Sequence, residues 1–175
     1  MTTILGRAEE VDVLLEKPVD TVTMLDVLEH IEKDVDQVKK VHAALQKEGE
    51  FVIVVPAHPF LYGVRDIQMG HYRRYTKKAL SELLTSNGFT VRYIRHWNVL
   101  GLIPYMVSEK ILHKPLQVGL REHTEGGLLG NLVRWCLHQW FKIVENNVNF
   151  GVGLSIICVA ESNGSLYTSH RVCEK

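Results

Sequence analysis

An open α/β fold built on a mostly parallel sheet is predicted by three features of the 175-residue sequence. The run Val19–Leu25 is rich in β-branched residues and alternates, imperfectly, between apolar and polar. The run Phe51–Val55 is unbroken and apolar, as expected of a strand covered on both faces. Between them Val35, Val38, Val41 and Leu45 recur at helical spacing, so strand, helix and strand form a βαβ unit. Sheets of this kind bind ligands at the carboxyl ends of their strands. Asp26, Glu29 and His30, directly after the first run, are therefore the first site candidates.

Taken in order, residues 1–18 read as the end of a strand at Ile4-Leu5, a polar loop, and a helical turn closed by Pro18. After Ile31, Asp34 is placed to cap a helix and Gln37 stands three residues on, the spacing of a capping box. Gly49 is placed to end that helix and Pro56 to end the second strand. Residues 57–75 show no periodicity and are crowded with His, Tyr and Arg, the composition of a functional loop. Thr76 caps a second helix carrying Leu80, Leu83 and Leu84, which stops at Ser86-Asn87-Gly88. Phe89, Val91 and Tyr93 mark a third strand.

Residues 97–146 form two apolar helical blocks, the first with Pro104 near its start, separated by a loop over 114–127. Trp97, Trp135 and Trp140 all fall in this region. Aromatics at helical spacing read first as core; a cap over an acceptor pocket, or an amphipathic surface for a lipid-like substrate, are the alternatives. Gly153–Ala160 reads as a buried last strand, and 163–175 as a polar tail.

The bulk properties narrow the class. One domain with an ordinary core is expected from 46% hydrophobic and 23% charged residues. Twenty basic and twenty acidic residues cancel, giving no electrostatic reason to expect a nucleic-acid partner. Cys136, Cys158 and Cys173 lack metal-site spacing and read as buried free thiols in a reducing compartment. With no signal-peptide pattern and no long apolar span, a cytoplasmic location is expected.

The segments Asp20–Ile31, Lys47–Pro56, His71–Thr76 and Asn87-Gly88-Phe89 together resemble the class I S-adenosylmethionine-dependent methyltransferases. They are similar to that family's fourth strand with its D-V-L-E-H ending, its turn into the fifth strand, and its H-x-R-x-Y-[ST] segment. The resemblance implies a partial Rossmann-like sheet over residues 1–162, mostly parallel with an antiparallel last strand, plus a helical insertion over about 97–146. It also implies S-adenosylmethionine as cofactor and a small-molecule or lipid-linked acceptor. The family's glycine-rich cofactor loop has no counterpart, because the one G-x-G, Gly151-Val152-Gly153, precedes a strand. The resemblance thus begins near the family's third strand, and the sheet edge left there invites a homo-oligomer. The alternative function is a non-catalytic methyltransferase-like interaction module or a truncated product.

Residue roles follow from the same resemblance. Arg7, Ala8, Leu25, Asp26 and His30 would contact the cofactor, with Arg7 standing where the family places an acid. His58, Tyr62, Tyr72 and Arg73 would meet the acceptor, and His71 would serve as general base if the acceptor is a hydroxyl. Methyl transfer itself is an in-line displacement that asks mainly for orientation. No metal is expected. Asp26, Glu29, His30 and His71 are nevertheless the residues that could supply an oxygen and nitrogen site, as in some RNA and quinone-precursor methyltransferases. A surface turn packed on the neighbouring loop explains the same residues.

Overall fold

A computed structural model describes residues 6–11, 15, 17–108 and 128–164. Its frame is a four-stranded sheet of β1 (Val19–Leu25), β2 (Leu45–Pro56), β3 (Phe89–Trp97) and β4 (Ser155–Ser162). The spatial order is β1-β2-β4-β3. β1 and β2 are parallel, and β4 is antiparallel to both its neighbours. Three strands therefore point one way and only the last opposes them, as the sequence predicts. Among the described residues the helices are α1 (Asp34–Ala44), α2 (Val64–Met69), α3 (Lys77–Thr85), α4 (Val99–Met106) and α5 (Leu128–Gln139). α5 runs on into a π-helical turn, Trp140–Glu145.

The core lies where α1 and α3 cover the sheet. Val38 and Val41 from α1 and Leu80 and Leu84 from α3 pack with Phe51, Ile53, Val55, Phe89, Ile156 and Cys158. Cover is uneven, for Phe51, Ile53 and Val55 are fully buried while Val52 and Val54 are only half-buried. The expectation of a strand sealed on both faces is thus met on one face only. Val35 is also exposed, so the buried stripe of α1 begins at Val38.

Several local expectations change for a common reason, that side chains are taken by distant partners. Asp34 is the first helical residue and not the cap. Its carboxylate binds Arg73 at 2.7 Å and accepts from the Tyr75 hydroxyl at 2.9 Å. Gln37 is buried and donates to the Ala8 carbonyl at 2.7 Å, so no capping box forms. α1 passes straight into β2, and Gly49 lies inside the strand, at an irregularity between the Val19–Leu45 and Thr21–Glu50 pairs. A Cβ on Gly49 would sit 3.1 Å from the Asp20 carbonyl oxygen, which makes glycine the fitting residue there. Thr76 caps α3 as expected, accepting from the Ala79 N–H at 3.0 Å.

Residues 57–75 contain structure in place of a plain loop: a 3₁₀ turn, Pro59–Leu61, and the short α2. β3 continues to Trp97, and Asn98 caps α4 through the Gly101 N–H at 3.0 Å, leaving Pro104 inside the helix near its end. Cys158 is buried, and that burial pushes its thiol up to about 12. Cys136, in contrast, is exposed, and Trp135 is 60% exposed, so these two are not core. Where a polar loop was expected, Ala8–Glu10 forms a 3₁₀ turn. The strand at Ile4-Leu5, most of the turn before Pro18, the 114–127 loop, Cys173 and the tail from 165 lie outside the described residues. No helix among the described residues is long and apolar enough to cross a membrane.

Candidate functional site

β1 delivers the first half of the site. Its last residue, Leu25, is 59% exposed. Asp26 adopts a left-handed conformation, φ 53°, while its N–H donates to the Val54 carbonyl at 3.0 Å, so the turn stays pinned to β2. A 3₁₀ turn over Leu28–His30 follows, with Leu28 fully buried as its anchor. That anchor takes Glu29 inward as well. Glu29 is fully buried and neither of its carboxylate oxygens has a hydrogen-bond partner. Burial pushes its carboxyl up to about 7, with the nearby Asp26 charge adding to the effect. Burial also raises the Asp26 carboxyl, against the pull of His71 and His30.

The segment after α2 closes over this turn. The Tyr72 N–H donates to the Glu29 carbonyl at 2.8 Å. The His71 and His30 rings then meet edge to face, 4.6 Å between centroids. Glu29, His30 and His71 each offer one ligating atom, all within 4.8 Å of one another.

Behind His71 stands a residue not singled out from the sequence, Asp66. It accepts from His71 Nδ1 at 2.8 Å, from Arg74 Nε at 2.9 and 3.0 Å, from the Tyr105 hydroxyl at 3.1 Å and from the Gly63 N–H at 3.0 Å. Arg74 also donates to the Ala57 carbonyl at 3.2 Å and lies over the Tyr105 ring at 4.6 Å. Burial alone would raise the Asp66 carboxyl; the hydrogen bonds from Arg74 and His71 outweigh it and hold the group below the usual carboxylate range. An ionised Asp66 fixes the His71 tautomer with the proton on Nδ1. Nε2 of His71 is then the acceptor, and it is buried without a partner.

The remaining predicted residues fall around or beside this centre. The Tyr62 hydroxyl donates to the His71 carbonyl at 2.7 Å, and the Tyr72 side chain is 53% exposed. Arg73 is held by Asp34 and by the Glu32 carbonyl. His58, at φ 62° after β2, stacks on His96 from β3 with centroids 4.9 Å apart and planes 4° apart. Burial lowers both imidazoles, and both bond to the Gly153 backbone. Ala8 packs on the core cluster, and Arg7 pairs with Glu9 on the surface at 3.8 Å. Sequence reasoning missed Asp66, Tyr105 and His96 as partners; the one available signal was an acid in the polar stretch before His71.

The arrangement can accept a proton at His71 Nε2, or offer one oxygen and two nitrogens to a divalent cation. In either case Asp66 supplies the carboxylate that orients the ring.

No protein-family model and no curated protein matches the chain. Solved structures do match. A Bacillus halodurans protein assigned as a methyltransferase superposes with a TM-score of 0.52 at 18% identity, over 91% of this chain and 70% of its own. A SAM-dependent methyltransferase from Archaeoglobus fulgidus gives 0.50 at 14% identity, over 91% and 66%. A Galdieria sulphuraria protein assigned as a sarcosine dimethylglycine methyltransferase gives 0.51 at 10% identity, over 91% and 58%. The chain has the class I methyltransferase fold and spans 58% to 70% of the length of these three chains.

Proposed function

We propose that the chain carries the acceptor-facing side of an S-adenosylmethionine-dependent methyl-transfer site for a small-molecule or lipid-linked acceptor. One observation supports this above the others. A histidine, His71, is held in one tautomer by a buried ionised Asp66, beside the carboxyl end of β1 in a sheet of the methyltransferase type. S-adenosylmethionine, when bound, supplies a methyl group already activated for displacement. Leu25, Asp26 and His30, with Arg7 and Ala8, would hold it. His71 Nε2 takes the proton of an acceptor hydroxyl, and Asp66 stabilises the imidazolium that results. Tyr62, Tyr72, Arg73 and His58 would position the acceptor.

The same His71 serves differently if a divalent cation is present. Glu29, His30 and His71 would hold it, and it would supply Lewis-acid polarisation of the acceptor oxygen. The unpartnered, fully buried oxygens of Glu29 favour this variant. A His71 that is a ligand is not a base, so a chelator distinguishes the two roles: methyl transfer that survives chelation assigns the base.

Calorimetric titration with S-adenosylmethionine tests the reading. Saturable binding is expected, and a flat titration overturns it. The second reading, a non-catalytic interaction module, is favoured by the position of β1 at the outer end of the sheet with no further strand among the described residues. It predicts association without cofactor binding.

A further inference from the structure

Of the described arginines, Arg65 alone makes no hydrogen bond or ion pair. Arg7 pairs with Glu9, Arg73 with Asp34, Arg74 with Asp66 and Arg92 with Glu161. Arg95 donates to two backbone carbonyls and Arg134 to the Asn131 side chain. Arg65, on α2, is half-buried, and its guanidinium lies over the Tyr105 ring of α4, 5.9 Å from the centroid. A charge drawn partly out of water costs free energy that a bonded anion would offset. The ring contact offsets little of it, since 5.9 Å is the outer limit of a cation–π interaction and Arg74 already lies over the same ring at 4.6 Å.

The carboxylate next to Arg65 in the sequence is already taken. Asp66 is buried and accepts from Arg74, His71, Tyr105 and the Gly63 N–H. Two guanidiniums thus share one tyrosine ring, and the carboxylate at that ring bonds only one of them. We propose that Arg65 binds the phosphate or carboxylate group of an anionic acceptor. A guanidinium presents parallel N–H donors to either oxyanion, the fork that bidentate recognition needs. The neighbouring Val64 and Ile67 are exposed and apolar, so the anion that suits this place is one carried on an apolar body.

Arg65 is tied to the candidate site through its neighbours. The Tyr105 hydroxyl beneath it donates to the Asp66 carboxylate at 3.1 Å, and Asp66 accepts from His71 Nδ1 at 2.8 Å. Tyr105 and Asp66 stand between Arg65 and His71, so the charged group is remote from the reacting atom and serves to select and orient the acceptor. The inference names the acceptor class of the proposed methyl-transfer site and rests on that reading for its meaning, though not for its test.

The test is an NMR chemical-shift titration of the isotope-labelled whole chain with hexyl phosphate and with hexanoate, against hexanol as the neutral control. At least one of the two anions is expected to saturate and to move the Arg65 Nε–H resonance. Hexanol should bind roughly tenfold more weakly, the low end of what a charge-assisted hydrogen bond contributes. Arg65→Gln should weaken anion binding by a similar factor, and Arg65→Lys, which keeps the charge without the fork, should fall between. An unchanged circular dichroism spectrum shows that both variants fold. Absence of saturable binding by either anion overturns the inference, as does equal binding by Arg65→Gln. The acids between α4 and α5, Glu109, Glu122 and Glu125, are the competing occupants from this chain. Anion binding that appears only when Glu109→Gln, Glu122→Gln and Glu125→Gln are combined assigns Arg65 to one of them and likewise overturns it. Anion binding with a flat cofactor titration sinks the proposed function alone; cofactor binding without anion binding sinks only this inference.

Discussion

At Asp66 four donors converge on one buried carboxylate, and removing it would strand a guanidinium. Asp66→Ala leaves Arg74 buried beside the Tyr105 ring without the carboxylate bonded to it. We expect a loss of about 3–5 kcal/mol in urea denaturation, the cost of breaking a buried ion pair from one side. The stacked pair His58 and His96 gives a pH dependence of definite sign. Burial lowers both imidazoles, with the Arg74 charge also opposing protonation of His58 and the Lys77 charge that of His96. The unfolded chain takes up these protons as pH falls through about 6.5, and the native state only at lower pH. Stability is therefore complete above that pH and declines below it. His96→Gln should flatten the slope of unfolding free energy against pH on the acid side. The 26–30 turn was legible in the sequence because polar residues directly follow a buried run, and His71 because it stands in an aperiodic stretch crowded with His, Tyr and Arg. Asp66 was not, since its six-residue helix is too short to show a period and its partner Arg74 is eight positions away. Glu29, beside the exposed His30, reads as a surface acid until the burial of Leu28 shows otherwise.

Elements were readable where local chemistry decides them. Thr76 is such a case, and Thr76→Ala should cost about 1 kcal/mol, seen as a lower melting midpoint. Elsewhere tertiary partners override the local signal, as where Asp34 and Gln37 bind Tyr75 and Ala8 in place of the α1 terminus. The approach to β4 carries the sharpest constraint. A Cβ on Gly153 would lie 2.4 Å from the Trp97 carbonyl oxygen, a backbone atom that cannot swing aside. Gly153→Ala should thus destabilise by about 2–3 kcal/mol, the upper range for overpacking, and should disturb the His58–His96 stack that bonds to the same backbone. A titration of imidazole NMR shifts checks the second effect independently of the first.

For the whole molecule, the fold class was legible because a βαβ unit and a late apolar run restrict the sheet to few arrangements. The character of the helical region was not, since leucines and tryptophans at helical spacing serve a core and an interaction face equally well. Among the described residues β1 ends the sheet, and an edge of that kind predicts concentration-dependent association by light scattering. Thr23→Lys, at an exposed position of that strand, should suppress it. β4 is the last described strand in the chain and the third in the sheet, between β2 and β3. Synthesis from the ribosome thus completes β1, α1 and β2 as a local unit early, while β3 waits for a neighbour some 60 residues downstream. A nascent chain halted before Ser155 holds β3 without its one neighbour among the described strands, so cooperative closure of the sheet, and with it the His58–His96 contact across its end, waits for the synthesis of β4.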